Sequence, residues 1–274
     1  MALLRNRGST SPDVAAAVLD GVHRCANGVL PSKNTSRASK AALQDPQIAG
    51  NVSVVSVMAV NNEVGSISPL RQVAKVVRAH APNAVLHTDA VQAACWQDLR
   101  EISKLVDVLS VSAHKFGGPK GMGITMQRLG LQIDPLIVGG GQERDRRSGT
   151  HNVAGIMATA AALRVTDQTR NEEVARVTKL RDALVDGICS EIDDVLETVP
   201  RDKRVAGIAH MCIAGCESES VLYLLDEAMI CASAASACKR RVNGTRRTLR
   251  GTSLEATSRS DQRTRHDNPE SEHQ

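Results

Sequence analysis

Aromatic side chains are almost absent from this chain, whose 274 residues include one Phe, one Trp and one Tyr. Hydrophobic residues make up 42% of the sequence, so a sizeable core can form. It must be built mainly from Ala, Val, Leu and Ile. Small and β-branched side chains suit the buried strands of a parallel sheet that helices cover. The composition thus favours an α/β fold.

Long apolar runs and paired cysteines are also lacking. No stretch approaches the roughly 18 apolar residues of a membrane span, and residues 1–7 lack the apolar core of a secretory signal. The seven cysteines show no CxxC spacing, which favours reduced thiols over disulfides. We interpret His210, Cys212 and Cys216 as core and turn residues and predict no metal site. These absences predict a cytoplasmic protein with no membrane partner.

The net charge of +4 is unevenly distributed, because the basic residues are concentrated after residue 238. Residues 239–274 are rich in arginine, poor in large apolar residues and free of aromatics. A surface that binds nucleic acid usually interleaves basic and aromatic residues, so this composition predicts a solvated, disordered tail with no nucleic-acid partner.

Strand and helix patterns alternate from Asn51 onward, as in α/β proteins. Apolar runs predict strands at 51–60, 84–86, 105–112, 123–126, 205–213 and 229–232. Helices are predicted at 69–81, 153–163, 172–196 and from Ser218, the first and the last of them from capping or breaking residues. The third of these has an apolar face that includes Leu180 and Leu184. The polar stretch 28–47 predicts a loop.

Lys115 lies where an apolar strand gives way to a glycine-rich loop, in SAHKFGGPKG. Partial burial at such a position favours an uncharged amine, which can form a Schiff base with an aldehyde cofactor. On this motif alone, a surface lysine in a turn is the alternative. The loop is not a nucleotide-binding P-loop, because the Lys-Ser/Thr ending is missing.

Asp89 and Gln92 follow another strand, in HTDAVQA. A carboxylate there can keep the nitrogen of a pyridine ring protonated, and a nearby amide can bond the ring hydroxyl. The alternative for Asp89 is a helix cap. The loops NNE, HTDAVQ and SAHK all follow predicted strands, and ligands of α/β sheets bind at the carboxyl ends of strands.

Four segments resemble, in order and spacing, the core of cysteine desulfurases of the NifS/IscS group, in the class V aminotransferase family: VSVMAVNNEVG, HTDAVQA, SVSAHKFGGPKGMG and GGGQERDRRSGTHN. The resemblance implies a pyridoxal-phosphate (PLP)-dependent transferase core like that of aspartate aminotransferase. This core has a mostly parallel sheet, and part of a small C-terminal α/β domain follows it. The resemblance also implies a homodimer that converts L-cysteine to L-alanine, forms an enzyme persulfide and passes the sulfur to an acceptor protein.

Carried over position by position, the resemblance makes Lys115 the Schiff-base lysine, with His114 beside it. Cys238, in ASAASAC, matches the cysteine that forms the persulfide on a mobile loop. The implied cofactor contacts are Lys115 and His114 again, together with Asn62, Asp89, Gln92, Ser112 and Thr150. Thr150 would reach the phosphate bound in the neighbouring subunit.

The resemblance also divides the chain into four parts. Residues 1–50 are expected to be divergent and weakly ordered, and residues 51–165 to form the PLP-binding core of the large domain. Residues 166–238 would be a partial small domain that ends at the cysteine loop, followed by the basic tail 239–274.

Two family motifs are not found in this sequence. These are GGTE, which grips the phosphate, and EHHAV, whose histidine stacks on the ring; Ala15 falls at that stacking position. The composition also changes abruptly after Cys238, as a shifted reading frame would produce. An impaired, poorly soluble enzyme is therefore expected. The alternatives are a non-catalytic remnant that pairs with a full-length desulfurase, and a selenocysteine lyase or other class V aminotransferase.

Overall fold

A five-stranded sheet lies at the centre of the fold, in a computed structural model that describes residues 2–5, 35–45 and 50–234. Its strands, in spatial as well as chain order, are β1 Ala2–Arg5, β2 Val52–Met58, β3 Val85–Asp89, β4 Val108–Ser112 and β5 Gly123–Gln127. The three central strands are parallel, and β1 and β5 run antiparallel to their neighbours. The predicted α/β fold with a mostly parallel sheet is confirmed.

The two faces of this sheet differ in polarity because side chains alternate along a strand. Val55, Val57, Leu86 and Leu109 are buried in the core on one face. The other face carries hydroxyl and imidazole side chains from the three parallel strands, notably Ser56, His87 and Ser110. The apolar face packs in the core that stabilises the fold. The polar side chains on the other face precede the loops at the carboxyl ends of these strands.

Helices α1 Thr35–Gln44, α2 Leu70–His80 and α3 Leu99–Ser103 accompany the sheet. Pro69 occupies the N-cap position of α2, which buries Leu70, Val73 and Val77 and ends two residues before Pro82. The predicted loop at 28–47 is corrected by α1, which packs against α2. Leu43 is its only large buried side chain, so the sequence shows no apolar stripe there.

The two helices predicted at 153–163 and 172–196 are a single helix, α5 Val153–Glu191. Its 39 residues span about 58 Å. The intervening residues are polar but include neither glycine nor proline, so nothing interrupts the helix. Leu180 and Leu184, predicted on a buried face, are 59% and 55% exposed, whereas Arg170 and Arg181 are buried. A four-residue turn, α4 Gln142–Asp145, precedes this helix.

The C-terminal part of the described chain forms a small antiparallel pair, β6 Val195–Glu197 with β7 Met211–Ile213, and helix α6 Ser218–Glu227. The strand predicted at 205–213 is short because residues 203–205 pair with the loop after β2, where Ile67 N donates to Lys203 O at 2.8 Å and Val205 N to Gly65 O at 3.0 Å. The strand predicted at 229–232 is wrong, since Met229 and Ile230 close the end of α6 by donating to Asp226 O and Leu225 O.

No helix in the described ranges combines the length and the apolar character needed to cross a membrane. Ala15, Cys238 and the tail 239–274 lie outside the described residues. The four-part division of the chain stays a prediction.

Candidate active site

Asp89 ends β3 at the centre of the parallel strands, where the register pairs it with Met58 of β2 and Ser110 of β4. Its carboxylate Oδ1 accepts a hydrogen bond from Val91 N at 2.9 Å, and its backbone oxygen accepts one from Ala59 N at 2.8 Å. One carboxylate oxygen is thus held by the turn that follows, as a capping residue would be. The other has no hydrogen-bond partner among the described residues, so the carboxylate can still meet a ligand.

Lys115 lies in a 3₁₀ turn, Ala113–Phe116, that directly follows β4. Side chains three residues apart share a face of such a turn, so Ala113 and Phe116 are buried while His114 and Lys115 are exposed. The expectation of a partly buried lysine is therefore wrong. In the described part of the chain, Lys115 Nζ forms no ion pair, which leaves the amine open to a ligand.

Gly118 allows this turn to close tightly. Its backbone N–H donates to Ala113 O at 2.8 Å, and a Cβ at this position would lie 2.8 Å from the Ala113 Cβ. Gly117, with a φ of 80°, ends the turn in the left-handed region that favours glycine. The glycines of this loop therefore allow the tight turn that carries Lys115.

Ser112 and His114 form a pair at the start of the same turn, with 2.8 Å between Ser112 Oγ and His114 Nδ1. Ser112 is the last residue of β4 and is paired with Gly123 of β5. The hydroxyl fixes the imidazole ring beside Lys115. Two groups able to bond a phosphate or a ring substituent therefore lie together.

The turn that contains Gln92 is tied to the Lys115 turn by Cys95, whose Sγ donates to the backbone oxygen of Lys115 at 3.1 Å. Burial raises the pKa of the Cys95 thiol, and a smaller opposing effect of Arg170 does not cancel it. The thiol is thus protonated near neutral pH and can donate this bond. The loops after β3 and β4 are linked directly.

Asn62 lies in the loop that follows β2. Asn61 Oδ1 accepts hydrogen bonds from Glu63 N and Val64 N, both at 2.9 Å, and so shapes the turn around Asn62. Gly65 has a φ of 73°, and a Cβ there would lie 2.8 Å from Ile208 Cβ. The segment after residue 203 thus packs against this loop.

Thr150 is exposed in the loop between α4 and α5 and makes no hydrogen bond to another predicted site residue within residues 50–234. Asn152 Oδ1 caps α5 by accepting from Gly155 N at 2.9 Å. Just before this loop, Glu143, Arg144 and Asp145 all have positive φ angles, which is costly for residues other than glycine. The residues Asn62, Asp89, Gln92, Ser112, His114 and Lys115 lie at or just after the carboxyl ends of the adjacent parallel strands β2, β3 and β4, whereas Thr150 belongs to a separate loop.

His87, which the sequence analysis did not single out, lies on the polar face of the sheet two residues before Asp89. Its Nδ1 lies 2.7 Å from Ser56 Oγ of β2, and its Nε2 lies 3.1 Å from Ser110 Oγ of β4. Burial lowers the pKa of His87, despite a smaller opposing effect of Asp89, so the ring is neutral near pH 7. The sequence does contain a sign of this group, because Ser56, His87 and Ser110 are polar residues that each interrupt an apolar strand.

The groups at this edge match the chemistry of PLP. A free amine suits its aldehyde, a carboxylate suits its pyridine nitrogen, and a hydroxyl–imidazole pair suits its phosphate or ring substituents. The residues present therefore fit the cofactor. The role of each residue toward PLP stays a prediction.

Comparison with known proteins gives the following matches. The family model for aminotransferase class V matches residues 29–260. An IscS-like cysteine desulfurase from Mycobacterium tuberculosis is 40% identical over 211 residues, covering 76% of this chain and 53% of that protein. The cysteine desulfurase IscS of Dictyoglomus turgidum is 38% identical over 185 residues, covering 68% of this chain and 46% of that protein. The chain thus spans about half the length of these relatives.

Two solved structures share the fold. A NifS-like protein superposes with a TM-score of 0.67 and 32% identity, over 78% of this chain and 59% of that one. DndA from Streptomyces lividans superposes with a TM-score of 0.61 and 27% identity, over 77% of this chain and 61% of that one.

Proposed function

Because the chain belongs to the aminotransferase class V family and is similar to its NifS/IscS cysteine desulfurases, we propose that it is a cysteine desulfurase-like protein. Members of this family depend on PLP. The proposed reaction removes sulfur from L-cysteine and gives L-alanine and an enzyme persulfide. The observation that carries this proposal is the meeting of Asp89, Ser112, His114 and Lys115 at the carboxyl ends of the parallel strands β3 and β4.

When bound, PLP supplies an electron sink that weakens bonds at the α-carbon of an amino acid. Lys115 Nζ is exposed on a flexible side chain and is proposed to bind the cofactor aldehyde, and later to move a proton at the substrate α-carbon. Asp89 would face the pyridine nitrogen and favour its protonated form with the carboxylate oxygen that Val91 N does not bind. His114 and Ser112, which form one hydrogen-bonded pair, would bind and orient the cofactor, and Asn62 and Gln92 would contact it from the neighbouring loops.

Cys238 is proposed to accept the sulfur. A thiolate is the nucleophilic form of cysteine, and its attack on the substrate sulfur would form the persulfide S–S bond as the substrate Cβ–S bond breaks. The electron pair of the broken bond would pass to the substrate carbon, which takes up a proton to become the methyl group of L-alanine. Transfer from Cys238 to an acceptor protein would complete the cycle. All five cysteines in the described ranges are free thiols. Reduced thiols are typical of the cytoplasm, and we also propose a cytoplasmic location.

A homodimer is part of the proposal. Leu136 and Val138, in the loop after β5, are 82% and 78% exposed, and Val153 and Met157 near the start of α5 are 65% and 66% exposed. Exposed apolar residues on both sides of the Thr150 loop favour a protein surface as their cover. A second copy there would also bring Thr150 to an interface, as its proposed role requires.

A second candidate, a non-catalytic partner of a full-length desulfurase, is favoured by the exposure of Lys115 and His114. Catalysis on a bound cofactor gains from the exclusion of water, and the described residues leave this face of the turn open. The two candidates differ in whether the isolated chain binds PLP and acts on cysteine.

The deciding experiment is an absorbance spectrum of the purified protein with added PLP, before and after borohydride reduction, followed by peptide mapping. We expect one labelled lysine, Lys115, and no label in Lys115→Ala. The matched control is Lys120→Ala, an exposed lysine five residues further along the same loop, which should keep the label. Folded protein that takes up no PLP would exclude the desulfurase and support the non-catalytic partner.

A further inference from the structure

Helix α5 donates side-chain hydrogen bonds to three backbone carbonyl groups in distant parts of the chain. Thr166 Oγ1 donates to Phe116 O at 3.3 Å, Arg170 Nε to Ala94 O at 3.2 Å, and Arg181 Nη1 to Val205 O at 3.0 Å. No other described helix makes side-chain bonds to so many separate loops.

These three donors lie on one face of α5. Arg170 follows Thr166 by about one turn, and Arg181 follows Arg170 by about three turns, so the side chains line up along the helix. The side chains of Arg170 and Arg181 are only 8% and 6% exposed. Burial of a guanidinium is costly unless its N–H groups are paired.

The pairing is local and supports the long-range contacts. Arg170 Nη1 also donates to Asp167 Oδ1 at 2.8 Å, and Arg181 Nε and Nη2 donate to Asp182 Oδ1 at 2.9 and 2.8 Å. A carboxylate on α5 thus neutralises and orients each buried guanidinium. Another N–H of each guanidinium donates to a backbone carbonyl of another element.

Two of the three carbonyls belong to turns that carry predicted site residues, and the third belongs to a segment that packs behind such a loop. Phe116 is next to Lys115 in the 3₁₀ turn, and Ala94 lies in the turn that begins at Asp89 and contains Gln92. Val205 pairs through its N–H with Gly65, behind the loop that presents Asn62. Helix α5 therefore contacts the Lys115 turn, the turn that contains Gln92 and the segment that packs behind the Asn62 loop.

We propose that Thr166, Arg170 and Arg181 are positioning residues of the cofactor site, and that α5 acts through them to hold the three loops at a fixed spacing. The helix touches none of the predicted cofactor contacts with these side chains, so its effect is on their relative placement. The proposal rests on the proposed PLP site for its functional meaning, but the holding of the loops can be measured without cofactor.

The test compares Arg170→Met with Arg176→Met in the full chain. Arg176 lies on the same helix but its side chain is 57% exposed and, among the described residues, pairs with Glu173 alone. Two quantities are measured: hydrogen exchange of backbone amides in residues 90–97 without cofactor, and the PLP dissociation constant from the absorbance band. We expect Arg170→Met to exchange faster in that segment and to bind PLP about tenfold more weakly, since a buried charged hydrogen bond is lost. Arg176→Met should match the wild type, and Arg170→Lys should recover part of the affinity.

A gentler variant covers the case in which Arg170→Met does not fold. Thr166→Val keeps the side-chain shape and removes only the hydroxyl, and Thr169→Val is its control because Thr169 Oγ1 bonds within α5, to Val165 O. We expect Thr166→Val to speed exchange in residues 113–118, to shift the PLP absorbance band and to weaken PLP binding, while Thr169→Val does none of these.

The possible results separate the two proposals. Faster exchange with unchanged PLP affinity and spectrum would reduce the three residues to a structural role and overturn the inference, as would unchanged exchange. If the wild type binds no PLP, the proposed function fails, and a positioning role at a cofactor site fails with it. Exchange in the variants would then show whether α5 nevertheless holds the loops.

Discussion

His87 joins three strands, because its two ring nitrogens lie 2.7 Å from Ser56 Oγ and 3.1 Å from Ser110 Oγ. A neutral imidazole can donate to one hydroxyl and accept from the other, so a single side chain aligns β2, β3 and β4 just below Asp89. The alignment depends on the protonation state of the ring.

The stability of the fold is expected to fall as the pH is lowered through about 6.5. Burial lowers the pKa of His87 below its ordinary value of 6.5 in the folded chain, so the unfolded chain binds more protons in that range. Stabilisation is present above pH 6.5 and is lost as the pH falls toward the lower folded pKa. Thermal melts of the wild type and His87→Gln between pH 5 and 8 should show a smaller pH slope in the variant.

His210 contributes with the same sign, because burial also lowers its pKa, against a smaller opposing effect of Glu63. Thermal melts of His210→Gln over the same pH range therefore show how much of the pH slope that remains in His87→Gln comes from His210. Equal slopes in the wild type and His87→Gln would show that His87 does not titrate differently in the folded chain.

Asp107 is predicted to stabilise the fold down to acidic pH. Burial alone would raise its pKa, but hydrogen bonds from Arg78 and from Leu86 N, with the nearby charge of Arg128, hold the pKa of Asp107 below its ordinary value. Its stabilisation is therefore complete above about pH 4 and is lost as the pH falls further.

Replacing Asp107 with Asn should lower the free energy of unfolding at pH 7 by about 2 kcal/mol, measured by urea denaturation, since charged hydrogen bonds of a largely buried carboxylate are lost. Glu173→Gln, which breaks an exposed pair with Arg176, should change little. Comparable losses in both variants would contradict the assignment.

Gly207 is predicted to tolerate no side chain, because a Cβ there would overlap the ring of Trp96. Gly207→Ala should lower stability by about 1–3 kcal/mol through overpacking. It should also change the emission of Trp96, the single tryptophan of the chain. The control is Gly187→Ala in α5, where no atom lies within 4 Å of the added Cβ. That change should stabilise by about 0.5–1 kcal/mol, and the opposite order of the two melting temperatures would refute the predicted packing.

The cysteines are expected to differ in reactivity. Burial raises the pKa of the Cys95 and Cys212 thiols, and thiolate is the reactive form. Maleimide labelling of the native protein, read by peptide mass spectrometry, should therefore modify exposed Cys189, Cys216 and Cys231 well before Cys95 and Cys212. Labelling in 6 M urea provides the control, because all five should then react at similar rates. Early labelling of Cys95 in the native protein would contradict its role as a donor to Lys115.

The central strands and the polar residues at their ends could be predicted from the sequence, since apolar runs such as VSVVSVM are local signals. Asp89, Ser112 and Lys115 follow directly from those strands. The continuity of α5 is not evident from the sequence, because the residues between its two predicted halves are mostly polar, although no helix-breaking residue is present there.

Long-range contacts account for the remaining differences. The burial of Arg170 and Arg181, and the exposure of Leu180 and Leu184, depend on which elements pack against α5. Hydropathy would place the leucines inside and the arginines outside. The pairing of residues 203–205 with the loop after β2 likewise joins distant segments, and a local pattern such as VAGIAHMCI contains no sign of its partner.

The hydrogen bond between Ile67 and Lys203 also sets an order on the making of this protein. During synthesis the strands β2 to β5 leave the ribosome long before residue 203, and closing so long a loop carries a large entropic cost. The loop that presents Asn62 cannot reach its final form until nearly all of the described chain exists. A nascent chain stopped at β5 would therefore hold the sheet that organises the site but not the finished site itself.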